Sequence, residues 1–431
     1  MTLLAPDNAK YQAIDSMYIL HLCESDVDNG GARAAHRLHK GLKSLGCHSQ
    51  MLVRAKFGTD SAVIREKSFL TKVSPPLSVL PLRRYPNRPG GMFSPQWVPD
   101  VLAHRVKQYN PDIVHIHAIC NGYLQIETLK KFRQPIVWTL HDMWPFTGGC
   151  HYNQDCERYK ESCGACPQLG SDRPHDLSHH TWKRKANAWK SLNLTLVATT
   201  SWMAECARAS SLFKDTRIET IPLGLDTDTY KPHNRHFARE VLNLPQDKQL
   251  VLFGAIGGTS DRRKGFYLLL PALQRLSESG WKDQIELVIF GSSQPEEEND
   301  LGFKTHYVGR LNDDVSLALV YSAADVMIVP SVQEAFGQTA SEAISCGIPV
   351  VAFNTTGLKD VVDHQQTGYL ASPFETEDLA RGIVWLLEDQ ERYQKLQFYA
   401  REKSLRRFAS KTQAQQYISL YTEILEGAKQ V

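Results

Sequence analysis

The sequence lacks the long apolar runs that export or membrane insertion requires. Residues 1–16 mix Asp7, Lys10 and Asp15 into their apolar residues, so we expect no signal-peptide core there. No run approaches the roughly 20 apolar residues that a membrane-spanning helix needs. The net charge is only +2, which gives no electrostatic argument for a nucleic-acid partner. These absences predict a cytoplasmic protein that binds no nucleic acid, and they leave peripheral contact with the inner face of the membrane open.

The nine cysteines do not suit a secreted disulfide scaffold. Their number is odd, and Cys23, Cys120 and Cys346 stand in apolar contexts. Disulfides persist in oxidising compartments and join cysteines in pairs, so this usage favours a reducing cytosol.

Short apolar runs alternate with longer amphipathic stretches along most of the chain. Their hydrophobicity is nearly continuous rather than alternating, which indicates strands of a parallel sheet that is covered on both faces. The predicted strands are residues 18–23, 51–54, 113–117, 136–140, 194–199, 250–254, 285–290, 305–308, 326–329 and 349–353. Helix-like segments such as residues 32–45 and 265–276 complete repeated βα units.

A chain of 431 residues is too long for one compact core of typical size. We therefore predict an α/β protein with two Rossmann-like, doubly wound domains and a ligand cleft between them. Polar residues and prolines are frequent around residues 223–249, which marks a linker. The predicted parts are a first domain (1–228), a linker (229–248), a second domain (249–407) and a C-terminal helix (408–431).

Two carboxylates stand eight positions apart in the segment Glu334-Ala-Phe-Gly-Gln-Thr-Ala-Ser-Glu342. A helix is predicted to begin between them and to end at Gly347. Its N-terminus would offer backbone N–H groups and the positive end of a dipole to an anion. Eight helical residues would span about 12 Å, roughly the reach from a sugar across a diphosphate to a ribose. The segment favours a nucleotide-sugar site, and two solvated glutamates on an ordinary helix are the alternative.

Glycine-rich turns follow the first predicted strand of each half. Gly30 and Gly31 would allow a diphosphate to approach the backbone, although such pairs also occur in plain turns. The turn of the second half, residues 254–265, contains Arg263 and Lys264 just before a helix. Cations at a helix start oppose the helix dipole, which favours a diphosphate site there over a solvated basic turn.

His141 and Asp142 follow a predicted strand, at the edge of the sheet where open α/β folds bind ligands. His141 could hydrogen-bond a sugar hydroxyl, and Asp142 could orient His141 or serve the acceptor. A polar residue satisfied within the fold is the alternative for His141. His115 and His117 share one face of a strand and are interpreted as structural.

Four cysteines are clustered in a polar, aromatic segment: Cys150, Cys156, Cys163 and Cys166. The last two form a Cys-x2-Cys pair, so the four thiolates could bind a structural zinc ion tetrahedrally. The spacing between the first two is wider than usual, and reduced thiols or two local disulfides are the alternatives. Residues 182–190 form a basic stretch with two tryptophans, which would suit either anionic lipid or a solvated helix.

Together these motifs resemble the retaining glycosyltransferases of family 4, which have the GT-B fold. The resemblance covers nearly the whole chain. It rests on the Glu334–Glu342 pair, the Ala335-Phe-Gly337 turn, Ser345-Cys-Gly-Ile-Pro-Val350, the Arg263-Lys264-Gly265 step and the Gly30-Gly31 loop. Residues 138–150 and the cysteines that follow are similar to the branch that contains the colanic acid fucosyltransferase and related exopolysaccharide enzymes.

The resemblance implies an activity. The chain would move a hexosyl or deoxyhexosyl unit from a UDP- or GDP-linked sugar to a glycan or lipid-linked acceptor in bacterial surface polysaccharide synthesis. The anomeric configuration would be retained, and catalysis would need no metal or other cofactor. A non-catalytic nucleotide-sugar-binding partner of a transferase complex and a GT-B-fold epimerase or phosphorylase are the alternatives.

The resemblance also implies roles for single residues, with Glu334, His141 and Lys264 as the catalytic set. Glu334 would contact the donor sugar near the reacting carbon. His141 would contact the same sugar at another position. Lys264 and Arg263 would hold the diphosphate. The remaining donor contacts would come from Gly30, Gly31, Leu311 near the base, Phe336, Gly337, Gln338, Thr339, and Glu342 on the ribose hydroxyls.

This chain departs from the family pattern at one position. Many members carry the arginine six residues before the lysine, where this chain has Gly258. Arg263 or Arg262 must then supply that charge. In the family the C-terminal helix returns to the first domain, which would account for the amphipathic residues 408–425.

Overall fold

The computed structural model describes residues 17–254, 257–292 and 301–429. The chain divides into two compact units. Unit 1 extends to Pro222 and resumes at Lys411, and unit 2 extends from Leu223 to Ser410.

The described part of unit 1 contains a parallel sheet of seven strands in the order β3-β2-β1-β4-β5-β6-β7. Its strands are β1 (Tyr18–Ser25), β2 (His48–Ala55), β3 (Val63–Arg65), β4 (Ile113–Ile116), β5 (Ile136–Leu140), β6 (Leu194–Ala198) and β7 (Arg217–Thr220). Its helices before residue 222 are α1 (Gly30–Ser44), α2 (Phe69–Ser78), α3 (Leu102–Tyr109), α4 (Leu177–Trp189) and α5 (Ser201–Ala209). Every residue of β4, β5 and β6 is buried, as expected for strands covered on both faces.

Unit 2 repeats this architecture with six parallel strands in its described residues, in the order β10-β9-β8-β11-β12-β13. Its strands are β8 (Gln249–Gly254), β9 (Ile285–Phe290), β10 (Thr305–Gly309), β11 (Val326–Val329), β12 (Val350–Phe353) and β13 (Gly368–Ala371). Its helices are α6 (Arg235–Val241), α7 (Phe266–Leu276), α8 (Asp314–Ala323), α9 (Gln338–Ser345), α10 (Leu358–Val361), α11 (Thr376–Leu387) and α12 (Gln390–Arg407).

Each sheet changes its direction of winding once, and this point fixes where a ligand can bind. In unit 1 the change lies between the neighbouring strands β1 and β4, and in unit 2 between β8 and β11. The loops that leave the carboxyl ends of such a strand pair run to opposite sides and leave a crevice. We therefore expect functional residues in the loops after β1 and β4 and in those after β8 and β11.

The prediction of two Rossmann-like α/β domains is confirmed, but the predicted linker, residues 229–248, is wrong. That segment belongs to unit 2 and contains α6. Its polar residues suggested a solvated linker, yet Arg239 is only 1% exposed. The Arg239 guanidinium donates to Asp325 Oδ2 at 2.7 Å and to the Ala323 carbonyl at 2.9 Å, which satisfies its charge and hydrogen-bonding groups inside the unit.

The C-terminal helix α13 (Ser410–Lys429) completes the core of unit 1. Tyr417 and Tyr421 are fully buried among core residues from β1, α1, β4, β5 and β6. The Tyr421 hydroxyl lies 2.6 Å from His115 Nδ1, and the Tyr417 hydroxyl lies 2.6 Å from Thr139 Oγ1. The last helix in sequence therefore covers the sheet formed by the first half of the chain.

Replacing Tyr421 with alanine should destabilise unit 1 strongly. The change leaves a cavity in the core and removes a hydrogen bond to a buried histidine, which together cost about 3–5 kcal/mol. Tyr399→Ala is the matched control, because Tyr399 is 52% exposed and should change stability by about 0.5 kcal/mol or less. Urea unfolding of the two variants measures the difference, and equal losses would contradict the packing of α13.

Candidate functional site

The loops that follow β8 and β11 are joined by backbone contacts. The Val332 amide donates to the Arg263 carbonyl at 2.8 Å. Gly265 has a φ of +72°, and a Cβ at this position would lie 1.8 Å from the Pro330 carbonyl oxygen. Only glycine fits there, so the two loops approach each other as closely as backbone allows. This contact places the side chains of one loop against those of the other.

Glu334 is the carboxylate on which the cations of these loops converge. Lys264 Nζ donates to Oε1 of Glu334 at 2.6 Å, and Arg263 Nη1 lies 3.4 Å from Oε2. The Ser331 hydroxyl also donates to Oε1, at 2.9 Å. Glu334 is only 7% exposed, so these contacts act where water screens charge weakly.

The ion pairs determine the charge of Glu334. Burial alone would raise the pKa of this carboxyl, but the charges of Lys264 and Arg263 and the hydrogen bonds from Lys264 and Ser331 lower the pKa to about 2. Glu334 is therefore an anion at neutral pH, and it holds the two cations at one place.

Arg263, and not Arg262, supplies the second charge of this cluster. Besides its contact with Glu334, Arg263 donates from Nη1 to the Gln333 carbonyl at 2.8 Å. Arg262 instead lies over the ring of Tyr267, 4.5 Å from its centroid. Ala255 and Ile256, in the same glycine-rich segment, lie outside the described residues.

Helix α9 begins between the two glutamates, as predicted. Gly337 precedes the helix with a φ of +97°, and a Cβ there would lie 2.7 Å from Leu358 Cδ2. The turn buries Phe336 and leaves Gln338 and Thr339 partly exposed at the first turn of the helix. Glu334 lies before this turn, so the expectation of eight helical residues spanning the pair is wrong.

Glu342 lies inside α9 and is buried, at 5% exposure. Its Oε2 accepts a hydrogen bond from the Tyr321 hydroxyl at 2.9 Å. Burial, followed by the Glu342 charge, raises the pKa of Tyr321 well above its ordinary value, so the phenol remains a donor. Leu311 is half-buried in the loop after β10, at the same carboxyl edge of the sheet.

In unit 1, His141 follows β5 directly and lies against the glycine loop. A Cβ on Gly31 would lie 3.5 Å from Cβ and Cγ of His141 and 3.6 Å from Cβ of Ala118, so the loops after β1, β4 and β5 are in contact. Burial lowers the pKa of His141 to about 4 although Asp142 opposes this shift, which makes His141 neutral at pH 7.

The Gly30-Gly31 turn gives less support to a diphosphate than the sequence suggested. Asn29 Oδ1 accepts a hydrogen bond from the Ala32 amide at 3.0 Å and so caps α1. The Asn29 amide donates to Asp28 Oδ1 at 3.1 Å and to Glu24 Oε1 at 3.2 Å. These carboxylates would repel a phosphate, so the predicted role of Gly30 and Gly31 stays a prediction.

Comparison with known proteins places this architecture in a family. Residues 28–229 match the family model "Glycosyltransferase Family 4", and residues 234–403 match "Glycosyl transferases group 1". A D-inositol 3-phosphate glycosyltransferase of Xylanimonas cellulosilytica is 30% identical over 339 residues, which cover 74% of each chain. The chain belongs to the GT4-type glycosyltransferases of group 1.

Solved structures of glycosyltransferases share the fold of this one. Sucrose-phosphate synthase of Thermosynechococcus elongatus aligns with 95% of this chain and 100% of its own at 22% identity and a TM-score of 0.71. HepE of Anabaena, solved in complex with UDP and glucose, aligns over 94% and 99% at 18% identity and a TM-score of 0.63. At these identities the likeness shows the fold alone, and it confirms the predicted GT-B fold class.

Asp142 of this glycosyltransferase is engaged within the fold. Its Oδ2 lies 2.6 Å from His151 Nδ1, and its Oδ1 accepts from the Trp144 amide at 2.8 Å. Burial disfavours a charge on His151, but Asp142 and Cys120 raise the pKa of His151 well above its ordinary value. Both oxygens of Asp142 thus hold the segment after β5. These contacts support a structural role more than the predicted role on the acceptor side of the site.

The four clustered cysteines of the glycosyltransferase are free thiols. Burial raises the pKa of Cys150 and Cys163, and the four do not form a group of three or more ligand atoms within 4.8 Å of one another. As placed, they do not fit a closed tetrahedral zinc site. Structural zinc stays a prediction, which zinc analysis of the reduced protein would test.

The basic stretch with two tryptophans does not offer both of them to a membrane surface. Trp189 is buried, and Lys185 is fully buried with its Nζ 3.6 Å from the centroid of the Trp144 ring. Trp182 donates from Nε1 to Ser211 Oγ at 3.1 Å. The structure therefore gives no support to the lipid-binding interpretation of residues 182–190, which stays a prediction. Among the described residues, no helix is long and apolar enough to cross a bilayer.

The sequence analysis did not predict several residues that support these sites. Tyr321 and Ser331 hydrogen-bond the two glutamates, but a tyrosine in an apolar helix and a serine after a strand carry no distinctive pattern. His117 was interpreted as structural, and its Nδ1 lies 3.1 Å from Nε2 of His141. The parallel pairing of β1 with β4, which sets His21 opposite His115, was the missing information.

The Glu334 ion pairs predict how acid affects stability. The pKa of Glu334 falls from an ordinary 4.5 to about 2 on folding, so the stabilisation is complete above about pH 4.5 and is lost as the pH falls toward 2. In urea unfolding, the stability difference between the wild type and Glu334→Gln should therefore shrink by about 3 kcal/mol over that range. Glu426→Gln, at an exposed position of α13, is the matched control. A difference that stays constant would contradict the ion-pair account.

Proposed function

We propose that this chain transfers a hexosyl or deoxyhexosyl unit from a UDP- or GDP-linked sugar to a glycan or lipid-linked acceptor, with retention of the anomeric configuration. The observation that supports it most is the convergence of Lys264 and Arg263 on Glu334, beside the winding change of the unit 2 sheet. Open α/β sheets bind their ligands at that place, and a cationic pair there suits a diphosphate.

The cationic pair would make the nucleoside diphosphate a good leaving group. During transfer the bond between the anomeric carbon and the diphosphate oxygen breaks, and a bond from the acceptor oxygen to that carbon forms. Lys264 and Arg263 would neutralise the negative charge that develops on the departing diphosphate. In the proposed retaining route, the acceptor attacks from the face that the diphosphate leaves. The leaving phosphate oxygen takes the acceptor's proton, so no side-chain base is required.

Glu334 would keep the two cations in place before the donor binds. Without this anion, two like charges would repel each other and move into water. Arg263 Nη2 also lies 3.2 Å from Oδ2 of Asp261, whose side chain is 42% exposed and therefore well screened by water. A diphosphate would compete with these two carboxylates for the two cations. We further propose that Glu334 contacts the donor sugar near the reacting carbon, since its carboxylate lies in the same loop cluster as the two cations.

We assign the remaining donor contacts to α9, to loops at the same edge of the unit 2 sheet, and to His141 of unit 1. The N-terminus of α9 suits the phosphates through the amides of residues 336–339. Glu342, fixed by Tyr321, would accept from ribose hydroxyls, and Leu311 would lie near the base. The neutral imidazole of His141 would hydrogen-bond a hydroxyl of the transferred sugar.

The comparisons support the donor class and leave two acceptor classes. HepE of Anabaena was solved with UDP and glucose, which supports a nucleoside diphosphate as the donor's leaving group. The resemblance of residues 138–150 to the exopolysaccharide branch favours a glycan or lipid-linked acceptor in surface polysaccharide synthesis. The Xylanimonas relative is named for D-inositol 3-phosphate, so a sugar-alcohol phosphate is the second candidate acceptor.

Removing the amine of Lys264 should reduce transfer far more than binding of the acceptor. The donor is first found by screening UDP- and GDP-sugars for one that raises the melting temperature, since a ligand that binds only the folded state stabilises it. With that donor, Lys264→Ala should lower kcat/KM at least about tenfold, or 1.4 kcal/mol of transition-state stabilisation.

Arg262→Ala is the matched control for Lys264→Ala. It removes a neighbouring cation that lies over Tyr267, so kcat/KM should stay within about twofold of the wild type. A loss of kcat/KM below tenfold for Lys264→Ala, or an equal loss for Arg262→Ala, would contradict the assignment of the cationic pair to the diphosphate. A nucleotide sugar that binds but is never transferred would instead favour the non-catalytic alternative.

A further inference from the structure

A chain of hydrogen-bonding side chains runs through the interior of unit 1 and ends at His141. Its members, counted from Asp60, whose side chain is 14% exposed, are Asp60, His39, Ser49, His21, His117 and His141. Nε2 of His141 lies 3.1 Å from Nδ1 of His117. Nε2 of His117 lies 2.9 Å from Nδ1 of His21. This hydrogen-bond chain therefore connects His141, the proposed sugar-binding residue, with the core of unit 1.

The other half of this hydrogen-bond chain passes through a serine hydroxyl to a carboxylate. Nε2 of His21 lies 3.1 Å from Ser49 Oγ, and Nδ1 of His39 lies 2.8 Å from the same oxygen. Nε2 of His39 faces Oδ2 of Asp60 at 3.4 Å, which is longer than an aligned hydrogen bond but close enough for a strong charge–dipole attraction.

The groups between Asp60 and His141 are buried and uncharged at neutral pH. His21 and His39 are 0% exposed and Ser49 is 2% exposed. Burial lowers the pKa of His21 and His117 well below the ordinary value and that of His39 to about 4. A neutral imidazole carries one N–H and one lone pair, and a hydroxyl likewise donates once. The direction of one hydrogen bond therefore fixes the direction of all the others.

Asp60 sets that direction. Its Oδ1 accepts from the Ala62 amide at 2.9 Å and lies 3.3 Å from Lys43 Nζ. Its Oδ2 faces Nε2 of His39 and, at 3.6 Å, Nε2 of His36. A carboxylate attracts an N–H and repels a lone pair, so His39 carries its proton on Nε2. Ser49 then donates to His39, His21 donates to Ser49, His117 donates to His21, and His141 donates to His117.

We propose that the Asp60–His39–Ser49–His21–His117 chain fixes the tautomer of His141, with the proton on Nε2 and the lone pair on Nδ1. These five are positioning residues, because they act through His141. The consequence for transfer rests on the proposed function: Nδ1 would accept from a sugar hydroxyl and so fix the direction of that hydrogen bond. The tautomer itself does not depend on any substrate.

Metal binding is the alternative role for the buried histidines. Ligand atoms of His21, His115 and His117 lie within 4.8 Å of one another. Each nitrogen is nevertheless engaged: His115 lies 2.6 Å from the Tyr421 hydroxyl and 2.8 Å from Thr139 Oγ1, and the other two histidines form the chain. The hydrogen bonds account for all six nitrogens, which favours the chain over a metal site.

Asp60→Asn should reverse the tautomer of His141. The side-chain carbonyl of the variant would keep the position that accepts from the Ala62 amide, which leaves the side-chain NH2 facing His39 Nε2. That group donates, so every hydrogen bond of the chain turns round and His141 carries its proton on Nδ1. Long-range 1H–15N NMR of histidine-labelled, ligand-free protein distinguishes the two tautomers, and His141→Gln identifies the His141 signals.

Two further variants separate this effect from general disturbance of the core. Tyr421→Phe removes a hydrogen bond to His115, outside the chain, and should leave His141 protonated on Nε2. Ser49→Ala removes the link between His39 and His21, so adding Asp60→Asn to it should cause no further change at His141. If Asp60→Asn fails to fold, Ser49→Ala alone tests the chain, because without this link His141 should no longer be protonated on Nε2 alone.

Protonation of His141 on Nδ1 in the wild type, or the same tautomer in the wild type and Asp60→Asn, overturns the proposal. A stoichiometric metal that copurifies with the wild type and is lost on replacing His115 with glutamine also overturns it. Because the readout needs no substrate, a protein that passes this test but transfers no sugar would contradict the proposed function and leave the chain intact.

Discussion

The ion pairs between Glu334, Lys264 and Arg263 constrain the whole candidate site of unit 2. A buried carboxylate needs partners, and Glu334 finds them in the loop that follows the neighbouring strand. Gly265 lets the two loops touch, and Gly337 turns the chain into α9 directly after Glu334. The same interaction holds Lys264 and Arg263 together, so the structure that stabilises the loops is also the one proposed to neutralise the departing diphosphate.

The two units share one kind of sheet topology but carry different side chains where the winding changes. In unit 2 the crevice after β8 and β11 carries cations, which suits an anionic ligand. In unit 1 the loops after β1, β4 and β5 bring together Gly31, His141 and carboxylates such as Glu24, which suits hydroxyl groups more than phosphates. Burial makes His141 neutral, and the histidine chain behind it supplies a direction to its hydrogen bonds.

Much of the fold could be predicted because buried parallel strands are nearly continuous apolar runs. Strands β3, β7 and β13 were missed. Strand β3 has three residues, β7 (Arg217–Thr220) is polar and partly exposed, and β13 (Gly368–Ala371) has four residues and begins with a glycine. The motifs singled out Glu334, Lys264 and Arg263 but did not predict their contact with one another. They also could not decide between Arg262 and Arg263, whose side chains have different partners. The histidine chain was beyond reach, because it depends on strand register and on a helix packed against the sheet.

The anomeric configuration of the product tests the central claim most directly. A donor of known configuration and a defined acceptor are incubated with the protein, and the proton coupling constants of the new glycosidic bond are read by NMR. The account predicts the configuration of the donor, because the acceptor approaches from the face that the diphosphate leaves and gives its proton to the departing phosphate. A product of inverted configuration would contradict it.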